Sequence, residues 1–161
     1  MTIYVLSGKV RSGKTTGLFD RFVENREAAG ILAPDRQGER MVYDLETRRC
    51  FPLTARPGEG EDEVWKIGTF SFSVEAFREA RGLLGRAFLR HPAWLVIDEI
   101  GPLELSGRGL EPVVGRIIRR YCDPTYPGNL LLVVRGELFS AVLDRYGIRE
   151  WSQLALSDLE G

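Results

Sequence analysis

The feature that most constrains this chain is the segment "GKVRSGKT", which runs from Gly8 to Thr15. It follows a short apolar run, "IYVL" at positions 3–6, which is typical of a strand buried in a parallel sheet. Apolar residues at helical spacing follow the segment, and they predict a helix from Thr15 to about Ala29 that stops at Gly30. A strand, a glycine-bracketed loop and a helix in this order are typical of a phosphate-binding site.

The fixed positions of this loop each have a physical reason. Glycine lets the backbone adopt positive φ angles and approach a ligand, so that successive amides can point at phosphate oxygens. Lys14 is predicted to be catalytic, as a compact cation for the β and γ phosphates, and the Thr15 hydroxyl is predicted to bind Mg²⁺. The side chains of Lys9 and Arg11 are expected to be solvated. The predicted nucleotide-binding residues are Gly8, Lys9, Val10, Arg11, Ser12, Gly13, Lys14, Thr15 and Thr16.

A second motif, "WLVIDEIGPLEL", places Asp98 and Glu99 where a buried strand ends. Ligands of open parallel sheets bind at the carboxyl ends of the strands, so this pair is expected to face the phosphate loop. Asp98 is predicted to orient Mg²⁺, directly or through water, and Glu99 to act as the general base that activates water. An acidic pair at a strand end can also be solvated or cap a turn. "DEIG" fits the DxxG pattern of GTPases too, but the sequence lacks the guanine-reading [NT]KxD motif.

The second half of the chain continues the alternation of strands and helices. "WLVID" and "LLLVV" are predicted strands, and helices are predicted from about 110 to 121 and from about 137 to 146, with a stop at Gly147. Ser73 is a predicted N-cap for a further helix. Three βα units imply a mostly parallel central sheet that is flanked by helices. The last ten residues are expected to fray or to form a short helix.

The residue pattern changes between positions 31 and 70, where short strand-like segments alternate with turn-forming residues. This pattern predicts antiparallel hairpins. The acidic stretch "PGEGEDE" is predicted to be a solvated hairpin tip, with a lid as the alternative. We therefore expect one domain over residues 1–161, with a hairpin insertion at about 31–70.

Composition excludes several functions. The chain has 161 residues and a net charge of −1, which argues against a broad nucleic-acid surface. Cys50 and Cys122 are far apart in sequence and lack the spacing of a zinc site or a disulfide framework. No segment resembles a signal peptide or reaches the roughly 20 apolar residues needed to cross a bilayer. We expect a cytoplasmic protein without membrane contact, and its oligomeric state stays open.

With these motifs placed, the chain resembles the small P-loop nucleoside-triphosphatases first described in thermophiles, which have a human relative called cancer-related nucleoside-triphosphatase. The resemblance spans roughly residues 2–135. The segments that carry it are "GKVRSGKTT", "RQGERMVYDLETRRCFPL", "FSFSVEAF" and "VIDEIGPLEL".

The resemblance implies a three-layer, RecA-like α/β P-loop fold and slow, Mg²⁺-dependent hydrolysis of ATP, GTP and other NTPs. By this resemblance, Gly8 through Thr16 bind the phosphates, Asp98 assists the metal as the Walker B aspartate, and Glu99 activates the water. Family members usually have a His-Arg type sequence where this chain has "VVRGEL", in which Arg135 is a candidate γ-phosphate sensor. The family hairpin is richer in glycine around "RQGER", which argues against roles for Arg36 and Arg40 at the nucleotide.

Two other functions remain open from the sequence. A nucleotide or small-molecule kinase would share the phosphate loop and Mg²⁺, and would use the arginines of the hairpin region, Arg36, Arg40, Arg48 and Arg49, as a lid. A nucleotide-switched binding module would hydrolyse slowly until it met a partner.

Overall fold

The computed structural model of the protein describes residues 2–8 and 14–158, except for the side chain of Leu156. Its strands are β1 (Ile3–Gly8), β2 (Ala28–Leu32), β3 (Asp35–Arg36), β4 (Glu39–Asp44), β5 (Cys50–Pro52), β6 (Val64–Ile67), β7 (Phe70–Ser73), β8 (Trp94–Ile100), β9 (Asn129–Arg135) and β10 (Ser152–Leu154). Its α-helices are α1 (Lys14–Phe22), α2 (Val74–Leu89), α3 (Pro102–Leu105), α4 (Val113–Tyr121) and α5 (Phe139–Tyr146).

The central sheet has the strand order β10-β1-β9-β8-β2-β4-β3, and β5 pairs with β4. From β10 through β2 the neighbouring strands are parallel, whereas β4 runs antiparallel to β2. The predicted α/β fold with a mostly parallel sheet is confirmed. Strand β9 lies between β1 and β8, and residues 130–134 are fully buried because helices cover both faces of the sheet.

The helices cover the two faces unequally. Helix α1 packs its buried Leu18 and Phe22 against one face. Helices α2 and α4 pack Leu84 and Ile117 against the other face, where the larger core lies. Each fully buried aliphatic side chain of this kind stabilises the fold by roughly 1.5 to 3 kcal/mol.

The helix after the phosphate loop is shorter than predicted, because α1 ends at Phe22 rather than near Ala29. Asn25 forms a turn in which its side-chain oxygen accepts from the Glu27 amide at 2.9 Å. The next residues form β2, which is buried throughout. Gly30 is therefore a strand residue with φ +120°, and a Cβ there would lie 2.0 Å from the Val96 carbonyl oxygen. The predicted stop is instead a close contact between β2 and β8.

The region from 31 to 70 contains the predicted antiparallel strands, with one correction at its start. Residues 31 and 32 belong to β2, where Ile31 pairs in parallel with Ile97 of β8, while both residues pair antiparallel with β4. Hairpins β3–β4 and β6–β7 and the pair β4–β5 are antiparallel. The acidic stretch predicted as a tip holds a short 3₁₀ turn at Glu61–Glu63.

Helix boundaries elsewhere agree with the sequence signals. The Ser73 hydroxyl caps α2 by accepting from the Ala76 amide at 3.1 Å, and Gly147 ends α5 with φ +62°. The expected frayed or helical C-terminus is wrong in part, because β10 pairs in parallel with β1 before a 3₁₀ turn at Leu156–Asp158. Along the described ranges, none of the helices has the length and apolar character needed to span a bilayer.

Candidate nucleotide-binding site

Those predicted site residues that the structure describes lie near the carboxyl ends of three neighbouring strands. Gly8 ends β1, Arg135 ends β9, and Asp98 and Glu99 lie near the end of β8. Gly8 and Arg135 are register partners across β1 and β9. This is the edge at which open parallel sheets bind ligands.

Lys14 begins α1 and lies close to the end of β1. Its side chain is buried, and Nζ donates to the Gly8 carbonyl oxygen at 3.2 Å. Thr15 is partly buried and Thr16 is exposed in the same first turn. The predicted phosphate ligands Lys9, Val10, Arg11, Ser12 and Gly13 lie outside the described residues, so their role stays a prediction.

The phosphate loop and the acidic strand end are joined by a hydrogen bond. The Thr15 hydroxyl donates to Asp98 Oδ2 at 3.0 Å, although the two residues are 83 positions apart. The Ala33 amide donates to the same oxygen at 3.0 Å. Thr15 and Asp98, the two residues predicted to hold a metal ion, are therefore in direct contact.

Asp98 is only 2% exposed, and its second oxygen, Oδ1, is buried without a hydrogen-bond partner among the described residues. Burial raises the pKa of Asp98 to about 6, and the adjacent Glu99 adds to the effect. The Ala33 and Thr15 hydrogen bonds oppose it. A buried carboxylate oxygen without a partner is favourable only if a cation or a proton satisfies it.

These groups fit a magnesium ion. Hydroxyl and carboxylate oxygens are hard ligands, and Mg²⁺ in nucleotide sites is held by few protein groups together with phosphates and water. Within residues 2–8 and 14–158, no cluster of three or more His, Cys, Asp or Glu side chains could hold a metal by itself. Thr15 and Asp98 would therefore need the nucleotide to complete a coordination shell.

Glu99 has a different environment from its neighbour. Arg40 Nη1 donates to Glu99 Oε2 at 2.7 Å, and Arg135 Nε donates to Oε1 at 2.9 Å. Burial alone would raise the pKa of Glu99, but the two guanidinium groups outweigh it and hold that pKa below its ordinary value. Glu99 is therefore a carboxylate fixed in position by two arginines.

Two contributors to the site were missed or discounted from the sequence. The Ala33 amide gave no signal, because any residue carries a backbone donor. The sequence argues against a role for Arg40 at the nucleotide, and in the structure Arg40 contacts Glu99, the predicted base. The segment around Arg40 carries no pattern that points to Glu99, because the two residues are 59 positions apart.

The strand order, the sequence motif "GKVRSGKT" at the junction of β1 and α1 and the acidic end of β8 define the P-loop class of α/β nucleotide-binding folds. A family model described as NTPase matches residues 3–147. The chain belongs to this NTPase family, so it is a nucleoside-triphosphate-hydrolysing enzyme. A search of curated proteins finds no match.

Two solved structures share the fold. The crystal structure of THEP1 from the hyperthermophile Aquifex aeolicus superposes with a TM-score of 0.70 at 16% identity, and the match covers 96% of this chain and 89% of that one. The solution structure of a human cancer-related nucleoside triphosphatase gives a TM-score of 0.60 at 18% identity, with 99% and 93% coverage. At such identities the likeness shows the fold alone.

Proposed function

We propose that the protein hydrolyses ATP, GTP and other nucleoside triphosphates to the diphosphate and phosphate, with Mg²⁺ and with loose base preference. The hydrogen bond between Thr15 and Asp98 carries the proposal, because it joins the first turn of α1 to the acidic end of β8. The absence of a guanine-reading motif from the sequence supports the loose base preference.

The triphosphate would be bound by the loop after β1 and by the first turn of α1. Amides between Gly8 and Thr16 would donate to the phosphates, and the positive end of the helix dipole favours the anion there. Lys14 would reach the β and γ phosphates from its place beside Gly8. These contacts hold the phosphate chain in position for attack.

Thr15 and Asp98 are the residues that would hold Mg²⁺. When bound, the ion neutralises charge that develops on the phosphate oxygens. Asp98 would bind it in its ionised form, and the cation would satisfy the buried Oδ1.

Glu99 is proposed to be the general base. Each of its oxygens accepts from one guanidinium and keeps a second lone pair that can accept from water. The water oxygen attacks the γ phosphorus and its proton passes to Glu99, while the bond to the β–γ bridging oxygen breaks. Arg135 ends β9, which lies between β1 and β8, and from there it would contact the γ phosphate.

Phosphate release should be measured with ATP, GTP, CTP and UTP in the presence of Mg²⁺. The wild type is expected to release phosphate from all four without an added acceptor. Lys14→Ala should reduce turnover by roughly 10- to 100-fold or more, because it removes charge-assisted contacts to the phosphates. Lys66→Ala, which removes an exposed lysine in β6, is the matched control and should keep wild-type turnover.

Other outcomes would contradict the proposal. NTP consumption that requires an acceptor would indicate a kinase. Turnover that rises strongly only when a partner is added would indicate a nucleotide-switched binding module. Equal activity in Lys14→Ala and Lys66→Ala would show that the phosphate loop is not the site.

A further inference from the structure

The segment from Ala33 to Arg40 contacts both acidic residues of the site. Its first residue, Ala33, donates its amide to Asp98, and Arg40, on the returning strand, donates its side chain to Glu99. The segment between them forms the β3–β4 hairpin. This hairpin is therefore coupled to the site at its base, through one backbone contact and one charged side chain.

Arg40 combines burial with an uneven charge balance. Its side chain is 21% exposed, and besides Glu99 it faces Asp35, whose Oδ1 lies 3.5 Å from Nε and which is far more exposed. Glu99 also accepts from Arg135, so two guanidinium groups share one carboxylate. Within the buried part of the Arg40–Glu99–Arg135 cluster Glu99 is the shared carboxylate, because the other acidic contacts, Asp35 with Arg40 and Glu137 with Arg135, are exposed and screened by water.

A terminal phosphate would compete with Glu99 for these guanidinium groups. It carries more charge than a carboxylate and offers three acceptor oxygens, which arginine recognises well. Arg135 belongs to the central strand β9, whose backbone is fixed between two neighbours. Arg40 lies on β4, whose backbone is held by β2, β3 and β5, so a transfer of Arg40 is a movement of its side chain. An arginine side chain is long enough to change rotamer between Glu99 and a neighbouring phosphate while the strand stays in place.

We propose that Arg40 is a ligand of the terminal phosphate: it is held on Glu99 before binding and transfers to the γ phosphate of the bound NTP. The inference rests on the proposed function and adds a role for the hairpin. Transfer of Arg40 frees Oε2 of Glu99 for the attacking water, and a nucleoside diphosphate cannot cause it because it lacks the terminal group. Arg40 thereby makes the site distinguish NTP from NDP.

The test compares the affinities of wild type, Arg40→Gln and Arg36→Gln for a non-hydrolysable ATP analogue and for ADP, by isothermal titration with Mg²⁺. Arg40→Gln should weaken analogue binding by roughly 10- to 100-fold, the range for a charged hydrogen bond, and leave ADP binding unchanged. Arg36→Gln is the matched control, since Arg36 is an exposed arginine of the same hairpin. It should leave both affinities unchanged.

Two further variants separate phosphate binding from support of Glu99. Arg40→Lys keeps the charge and should recover part of the analogue affinity. Glu99→Gln no longer holds Arg40, so its analogue affinity should rise by a few-fold, and adding Arg40→Gln should abolish that gain. If Arg40 only positioned Glu99, its loss would change neither affinity.

The outcomes are distinguishable. If wild type binds and hydrolyses NTP, and Arg40→Gln has the same ratio of analogue affinity to ADP affinity as wild type, only this inference is overturned. Wild type that binds neither nucleotide overturns the proposed function as well. Parallel losses in Arg40→Gln and Arg36→Gln would reveal a general charge effect and overturn the inference. Circular dichroism measures whether the variants fold. If both Arg40→Gln and Arg40→Lys are unfolded, the role of Arg40 is structural and the inference is wrong.

Discussion

Asp98 and Glu99 are neighbours in the chain, yet they lie in opposite electrostatic environments. Asp98 accepts from a hydroxyl and an amide, both neutral, and its buried Oδ1 has no partner among the described residues. Glu99 accepts from two guanidinium groups. The comparison shows how one strand end can supply two carboxylates with different properties, because their partners, rather than their depth alone, set the pKa of each.

The largest expected effect comes from removing the charge of Glu99. Glu99→Gln should lower turnover by roughly 10²- to 10⁴-fold, the range for loss of a general base, without loss of affinity for a non-hydrolysable NTP. Phosphate release and titration calorimetry measure the two quantities. Glu137→Gln is the control, because Glu137 is an exposed carboxylate that also lies near Arg135, at 3.8 Å. Turnover of Glu99→Gln within tenfold of wild type would contradict its role as the base.

Removing the charge of Asp98 tests the other half of the comparison. The folded pKa of Asp98, about 6, lies above its ordinary value, so the ionised group destabilises the nucleotide-free protein once the pH exceeds that pKa. Asp98→Asn should therefore stabilise the nucleotide-free protein at about pH 8 by up to about 3 kcal/mol, and this gain should vanish as the pH falls towards about 4.

Urea denaturation with and without Mg²⁺ and nucleotide measures this effect. Wild type should gain stability from the ligands by mass action, and Asp98→Asn should gain much less. A nucleotide-free Asp98→Asn protein that is less stable than wild type at pH 8 would show that the carboxylate stabilises the fold by itself.

Glu104 sharpens the comparison, because it is buried like Asp98 but both of its oxygens accept from backbone amides, those of Gly101 and Leu110. It is 3% exposed, and burial raises its pKa to about 7. Because the folded pKa exceeds the ordinary 4.5, its contribution to stability is present at low pH and is lost as the pH rises towards 7.

Relative to Glu104→Gln, wild type should therefore lose about 2 kcal/mol of unfolding free energy between about pH 5.5 and pH 8. Chemical denaturation at several pH values measures the difference between the two proteins. The difference at any one pH also contains the amide contact that glutamine cannot keep, so only its change with pH tests the pKa. A constant difference would contradict the raised pKa.

Patterns that depend on neighbouring residues were predictable from the sequence. The phosphate loop, the Ser73 cap, the Gly147 stop and the acidic strand end each occupy a few adjacent positions, and each has a local physical cause. The alternation of strands and helices predicted the parallel sheet for the same reason. Asp98 and Thr15 could be paired in advance because parallel strands present their carboxyl ends at one edge.

Features that depend on distant partners were not predictable. The apolar residues around Gly30 fit a helix or a strand. They form a strand because Gly30 packs closely against Val96, which is 66 positions later in the sequence. The three residues of β10 form a strand because β1 offers a free edge. Arg40 reaches Glu99 across 59 positions, and its own segment shows only a polar turn.

The position of β9 has a consequence for how the enzyme can vary. Its residues 130–134 are shielded from solvent, and its end separates the end of β1 from the acidic end of β8 by a single strand width. A change in the volume of a β9 side chain would shift both neighbours at once, because close-packed interiors transmit small displacements. Evolution could therefore adjust the gap between the two halves of the site from inside the sheet, without replacing a group that touches the nucleotide.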